Sequence, residues 1–324
     1  MNKVGDVRRY LLASGRFGGE LDVQFLAAGE YNENYLVDSG RGRFVLRLNH
    51  GSQLGLDNQI GYEFAVLQAV APSGVTPRPH FVDPDPEGLD HGVLLMDFLP
   101  GRPLDYDRDL HKAARVFARV HALAPDERLL AQPEPVAGIG RECEGLIRRF
   151  PDHPMVEVRD RLLRFHEEIM ALSEAVQPRF AAEAEVMANT EVNSGNFLVD
   201  GEAARLVDWE KAVRTVRYQD LGHFTVMTTT RWKTDKVLSE EEKLSFLERY
   251  RLELLDLGAP APELEELREL TAVLERTILL RALSWCFMAW YEYTESDRGL
   301  QNPDTFRRIT QYLDESACIV GSKA

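Results

Sequence analysis

The spacing of apolar residues changes character once along the chain, near residue 100, and that change restricts the fold more than any single motif. Up to Phe98 the apolar residues come in short β-type runs: "VQFLAAG" (23–29), "NYLVD" (34–38), "RFVLRLN" (43–49) and "GVLLMDF" (92–98), with "DSGRG" as a turn between the second and third. A short helix opens the chain. One further helical stretch, "NQIGYEFAVLQAV" (58–70), carries Ile60, Phe64, Leu67 and Ala71 at helical spacing. The proline-rich connection "APSGVTPRPHFVDPDPEG" that follows cannot be helical through its prolines. After Leu104 the period becomes helical, first in "HKAARVFARVHAL" (111–123), then at 155–175, 240–256, 262–294 and 303–318. Strands kept apart from helices predict an α+β fold: an N-terminal unit (1–98) of mainly antiparallel sheet and a larger helical unit (99–324). A chain of 324 residues is long enough for both.

One interruption of the helical half stands out. In "MANTEVNSGNFLVDGEAARLVDWEK" the runs Phe197–Val199 and Ala204–Val207 read as arms of a hairpin around Asp200-Gly201. Antiparallel partners lie about 4.5–5.5 Å apart, so Asn196 and Asp208 should meet at the open end. A carboxylate and a carboxamide there fit a magnesium clamp, since magnesium takes one or two protein oxygens besides waters and phosphate. They equally fit a surface hairpin with polar ends.

Charge and cysteines narrow the function classes. Lys and Arg number 38 against 53 Asp and Glu, a net charge of −15 whose field repels polyanions, so nucleic acid is not an expected partner. Local basic pockets are compatible with this balance, and an acidic patch could attract a cationic substrate. Cys143, Cys286 and Cys318 form no CxxC pair and suit a reduced compartment. The N-terminus has no apolar core of signal-peptide length. The most apolar segment, "ILLRALSWCFMAW" (278–290), contains Arg281 and is short of the ~20 residues that span a bilayer. A cytoplasmic protein without a membrane partner is expected.

A small sheet with one helix, a connector, and a helical unit carrying an Asn-hairpin-Asp site together resemble the aminoglycoside phosphotransferase and choline kinase-like family, over about residues 22–224. The resemblance implies a two-lobed protein-kinase-like fold and transfer of the γ-phosphoryl group of ATP to a small-molecule hydroxyl, with Mg2+. It implies roles residue by residue. "AAGEYNENYLV" is similar to the loop over the nucleotide phosphates, with Gly29, Asn32 and Asn34 as its working residues; "FVLRLN" is similar to the third strand, whose basic residue is here Arg47. Glu63 would aim Arg47. "LLMDFLPGRPL" resembles the connector that bonds adenine near Met96, Asp97 and Phe98. His121, in the helix before the catalytic region, reads as a packing histidine, and Asp220, in "RYQDLGHF", as the brace of the catalytic loop. Asn196 and Asp208 match the metal ligands.

The sequence departs from the family where the family has His-Gly-Asp: Asn189, Thr190 and Glu191 stand there. The expected base is still a carboxylate, one methylene longer. A base must reach within about 2.6–3.2 Å of the acceptor hydroxyl. Three functions follow: a small-metabolite kinase using Glu191, Asn196 and Asp208; a non-catalytic nucleotide-binding pseudokinase, suggested by the altered loop; and a transfer of AMP in place of phosphate. The acceptor site is expected within 225–324, where Trp232, Trp285, Trp290, Tyr291, Glu292 and Tyr293 could cage a cation. The sequence sets no oligomeric state.

Overall fold

The alternation of the first hundred residues closes into one antiparallel sheet. A computed structural model describes residues 3–18, 20–29, 31–295 and 303–321. In it β1 (Leu21–Ala28), β2 (Asn32–Ser39), β3 (Gly42–Asn49), β4 (Pro79–Asp83) and β5 (Val93–Asp97) lie in the order β1-β2-β3-β5-β4. Because side chains alternate across a strand, each strand feeds two cores. Leu46, Leu48, Val93 and Leu95 pack under α1 (Lys3–Ala13). Val45, Leu94 and Met96 face α2 (Gln59–Val70) and continue into the core of the helical half. β4 was not read from the sequence, being hidden in the proline-rich connection. Pro79 is tolerated as the first residue of an edge strand, where its missing N–H breaks no ladder.

The chain crosses to the helical half through Gly101, at φ +154, where a Cβ would sit 2.9 Å from the backbone of Leu198 and Val199. Only glycine lets the connector lie this close to the hairpin, against which β6 (Arg102–Pro103) pairs. Then follow α3 (Leu110–His121), α4 (Pro135–Arg148), α5 (Val156–Ala181) and β7 (Glu185–Ala188). The hairpin strands β8 (Phe197–Asp200) and β9 (Ala203–Leu206) and then β10 (Val213–Val216) come next, followed by α6 (Tyr218–Thr225), α7 (Met227–Lys233), α8 (Glu240–Asp256), α9 (Leu264–Glu295) and α10 (Pro303–Gly321). Helix α4 escaped the sequence reading because Gly138, Gly140 and Gly145 dilute its helical signal. At Gly222 a Cβ would meet the backbone of Glu275 at 2.7 Å, so the absent side chain is what lets α6 lie against α9. Among the described residues no helix is long and apolar enough to cross a membrane.

The result is an antiparallel-sheet N-terminal lobe and a helical C-terminal lobe, the α+β architecture of protein-kinase-like folds. A cleft of about 1360 Å³ lies between them, lined from both.

Candidate active site

The hairpin supplies the centre of the cleft. Phe197 pairs with Leu206 and Asp200 with Ala203, so the turn residues are Gly201 and Glu202, one step later than the sequence reading. The shift has a physical reason: Gly201 takes φ +56, and the turn sets its left-handed position on the glycine. At the open end Val207 N–H donates to the Asn196 carbonyl at 2.9 Å, which brings Asn196 and Asp208 together as expected. Trp209 is fully buried and its Nε1–H donates to the Leu206 carbonyl at 3.0 Å. With Trp209 pinned inside, its neighbours Asp208 and Glu210 both line the cleft.

Glu210 is a residue that the sequence reading missed, although "LVDWEKA" contains it. Carboxylate oxygens of Glu191, Asp208 and Glu210 lie within 4.8 Å of one another. Burial, then the Asp208 and Glu63 charges, push the Glu210 carboxyl up to about 7 despite the opposing pull of Arg47. Asn32 Nδ2 donates to Glu210 Oε2, which ties the β1–β2 loop region to the hairpin.

The catalytic-loop segment is held from several sides. Asp220, fully buried in the first turn of α6, accepts the Asn189 N–H at 2.9 Å and the Thr190 N–H at 2.8 Å. His121 Nε2 lies 3.3 Å from the same carboxylate and its Nδ1 2.9 Å from the Tyr250 hydroxyl. Burial lowers the His121 pKa although Asp220 pulls the other way, in keeping with a packing role. Asn189 stands where the family has His; its Nδ2 donates to the Asp208 carbonyl at 2.7 Å and its Oδ1 accepts the Glu191 N–H at 3.0 Å. Thr190 stands where the family has Gly and keeps the left-handed backbone, at φ +67. Its hydroxyl donates to the Lys211 carbonyl at 3.0 Å, and Arg281 Nη2 donates to its carbonyl at 3.2 Å.

The extra methylene of Glu191 has a visible use. Its Oε1 lies 2.5 Å from Lys211 Nζ, an ion pair that no sequence signal announced. Asn196 Nδ2 donates to the Glu191 carbonyl at 2.6 Å. Asn196 Oδ1 has no hydrogen-bond partner among the described residues.

On the N-terminal side Arg47 reaches three partners. Its Nε donates to Asn34 Oδ1 at 3.1 Å, across the ladder in which the two residues are directly opposite. Its Nη1 lies 2.6 Å from Glu63 Oε1 and 3.1 Å from Asp208 Oδ1. The side chains of Arg47 and Glu63 are 8% and 2% exposed, so this is no ordinary surface pair. Burial works against the Arg47 charge, but Glu63, Asp208 and Glu210 outweigh it and hold the guanidinium protonated.

Gly29 lines the cleft, its N–H donating to the Asn32 carbonyl at 2.8 Å. A methyl at Gly29 would meet only Asn32 O, at 4.0 Å, so the protein's own packing does not demand glycine there. Glu30, in the same loop, lies outside the described residues.

Met96, Asp97 and Phe98 do not line the cleft in this structure. Met96 is paired in the ladder to Val45 on one side and Pro79 on the other. The Asp97 and Phe98 N–H groups already donate to the Arg78 and Arg43 carbonyls, at 3.0 and 3.3 Å. The six-residue cation cage is not assembled either. Trp232, Trp285, Glu292 and Tyr293 line the far end of the cleft. Trp290 sits 5.4 Å from the His153 ring, and Tyr291 stacks at 4.2 Å on Phe150, which lines the cleft where Tyr291 itself does not. Helical spacing explains the split, because the four residues in a row from 290 to 293 cannot share one face.

Comparison with known proteins agrees with the fold. Three solved structures are similar in fold. Choline kinase from Cryptosporidium parvum Iowa II shares 14% identity, covers 97% of this chain and 96% of its own, and gives a TM-score of 0.66. Choline kinase LicA from Streptococcus pneumoniae shares 16%, with 96% and 98% coverage and a TM-score of 0.62. Spectinomycin phosphotransferase, solved with ADP and spectinomycin, shares 13%, with 97% and 98% coverage and a TM-score of 0.63. No curated protein matches the chain in sequence. The model of the phosphotransferase enzyme family matches residues 22–270, more than half of the chain and all of the residues that meet in the cleft from β1 to the start of α9. The chain belongs to the phosphotransferase enzyme family.

Proposed function

We propose that the protein transfers the γ-phosphoryl group of ATP to a hydroxyl of a small metabolite, with magnesium as the metal. The observation that carries the reading is the convergence of Glu191, Asp208 and Glu210 within 4.8 Å, beside the buried Arg47–Glu63 pair. Acids this close repel one another, and after burial that repulsion is what raises the proton affinity of Glu210. A hard divalent cation relieves that repulsion, so the donor set fits magnesium. Asp208, Glu210 and Asn196 Oδ1 would hold it, and when bound it would neutralise charge on the nucleotide phosphates.

The residues of the chain divide the remaining work. In this reading residues 1–98 form the nucleotide lobe, where Arg47, aimed by Glu63 and Asn34, grips phosphate while Asn32 and the backbone at Gly29 close over it. The bonded N–H groups of Asp97 and Phe98 are not free to serve adenine. Residues 99–324 carry the chemistry. The acceptor oxygen forms its bond to the γ-phosphorus as the bond to the β–γ bridging oxygen breaks and ADP leaves. The hydroxyl proton passes to Glu191, whose carboxylate Lys211 orients. Positioning and charge neutralisation supply most of the rate. Against the non-catalytic alternative stand a carboxylate retained at the base position and a lysine that fits its length.

Pure protein incubated with labelled ATP and magnesium, without acceptor, is expected to hydrolyse ATP slowly, and Asp208→Ala to stop it. A melting temperature that does not respond to saturating magnesium-ATP would sink the proposal.

A further inference from the structure

The far end of the cleft carries charge opposite to that of the chain as a whole, whose net charge is −15. Arg281, on α9, lines the cleft. Its Nη2 bonds Thr190 O at 3.2 Å and lies 3.4 Å from His223 Nδ1. Its Nε and Nη1 make no hydrogen bond among the described residues, and it stands in no ion pair there. Lys233, at the end of α7, lines the same end and is likewise unpaired among the described residues. The nearby acids are mostly answered. Glu191 is paired with Lys211 and Glu292 with Arg149 at 3.4 Å, leaving Glu142 as the acid without an ion pair. Burial, then Arg281 and Lys211, hold the His223 imidazole well below its ordinary pKa, so it adds no positive charge of its own.

A separate observation points to a ligand. Thr228, also lining the cleft, is 3% exposed and its Oγ1 has no hydrogen-bond partner. An orphaned buried hydroxyl costs free energy unless something outside the chain satisfies it. Resting on the phosphotransferase reading above, we propose that the acceptor is an anionic metabolite: a hydroxyl compound whose carboxylate or phosphate group seats on Arg281, in the cleft that Thr228 also lines. Carboxylate and phosphate oxygens are strong acceptors for the open Nε and Nη1 donors of Arg281, each in a charge-assisted hydrogen bond. A quaternary or primary ammonium would instead meet two open cations, Arg281 and Lys233, against the one open acid Glu142. Trp232 and Trp285, edge to face at 5.9 Å, then wall the carbon skeleton rather than cage a cation.

Four probes of similar size separate the classes: glycerate, glycerol 3-phosphate, glycerol and choline, each tested by melting temperature on protein saturated with magnesium and AMP-PNP. Glycerate or glycerol 3-phosphate at about 10 mM is expected to raise the melting temperature, and which of the two does so tells carboxylate from phosphate. Glycerol and choline are expected to leave it unchanged. Arg281→Met should weaken binding of the anionic probe roughly tenfold to a hundredfold, and Arg281→Lys, which keeps the charge, should recover part of it. The AMP-PNP shift of each variant, recorded alongside, reveals any collapse of the loop that Arg281 braces. Stabilisation by choline or glycerol equal to that by the anions, no response to either anion, or an anion shift that survives in Arg281→Met would overturn the proposal. Failure of AMP-PNP itself to stabilise the wild type would instead overturn the nucleotide reading beneath it.

Discussion

The two walls of the cleft are built on opposite plans. On the sheet side the cation is answered within the protein: Arg47 is matched to Glu63, Asp208 and Asn34. On the helix side Arg281 and Lys233 are left open and the Thr228 hydroxyl is unsatisfied. The first wall is prepared before any ligand arrives, which spares the cost of ordering at binding. The second is complementary to something that the chain does not contain. Nucleotide recognition is thus expected to tolerate little change, and acceptor recognition to be tunable.

The sharpest way to break this contrast is to remove the residue that touches both plans. Asp208→Ala is expected to lower phosphoryl transfer by ~10³-fold or more, since it deletes a proposed metal ligand and one partner of Arg47 together. Turnover within tenfold of wild type would show that the sheet-side wall is not catalytic. Next in size, Glu63→Ala removes the nearest counter-charge of a buried guanidinium, leaving Asp208, Glu210 and the Asn34 amide, and should cost about 3 kcal/mol of stability in urea unfolding. A loss under about 1 kcal/mol would reduce the pair to a surface-like contact.

Glu191→Gln tests the helix side. It keeps the size of the side chain and removes its basicity, and should lower turnover by ~10²-fold with little change in nucleotide affinity. Glu191→Asp should fall as well, because the shorter side chain gives up Lys211. The smallest effect concerns pH. Glu210 is held near 7 in the folded protein against an ordinary 4.5, so the folded state keeps a proton that the unfolded state has lost between those values. Its contribution to stability therefore declines as pH rises from about 4.5 to 7 and is flat above. Without magnesium, the wild type minus Glu210→Gln difference in unfolding free energy should drift by on the order of 2 kcal/mol across that window, wild type losing ground. Saturating magnesium-nucleotide should abolish the drift, and a drift of opposite sign would show that Glu210 is not crowded by like charge.

How much of this was legible in the sequence follows the same division. The strands, the long helices, the hairpin, and the meeting of Asn196 with Asp208 were readable, because period and turn chemistry are local. So were Arg47, Glu63 and Asp220, through the order of motifs. Glu210 was overlooked inside a quoted motif. Lys211, Arg281 and Thr228 could not be found by spacing: Arg281 lies 91 residues from the carbonyl that it bonds, and its role depends on how α9 packs under the loop. β4 and α4 were obscured by proline and glycine. At the connector, period could not show that the Asp97 and Phe98 N–H groups are spent inside the sheet, which leaves backbone carbonyls for the expected adenine contact.

Thr190 carries a consequence for how such a loop could have arisen. A β-branched residue at φ +67 bears a cost of roughly 1–2 kcal/mol that glycine would not. Relative to glycine that cost is offset only by the hydroxyl bond to the Lys211 carbonyl, since the bonds to Asp220 and Arg281 belong to the backbone. Asn189 and Glu191 are bound into the same set through Asp208 and Lys211. Restoring His, Gly or Asp one position at a time would remove a tie without recreating the arrangement that it belonged to, so the three changes are strongly epistatic. The triplet therefore acts as one unit: its three side chains must be exchanged together for the loop to keep its shape.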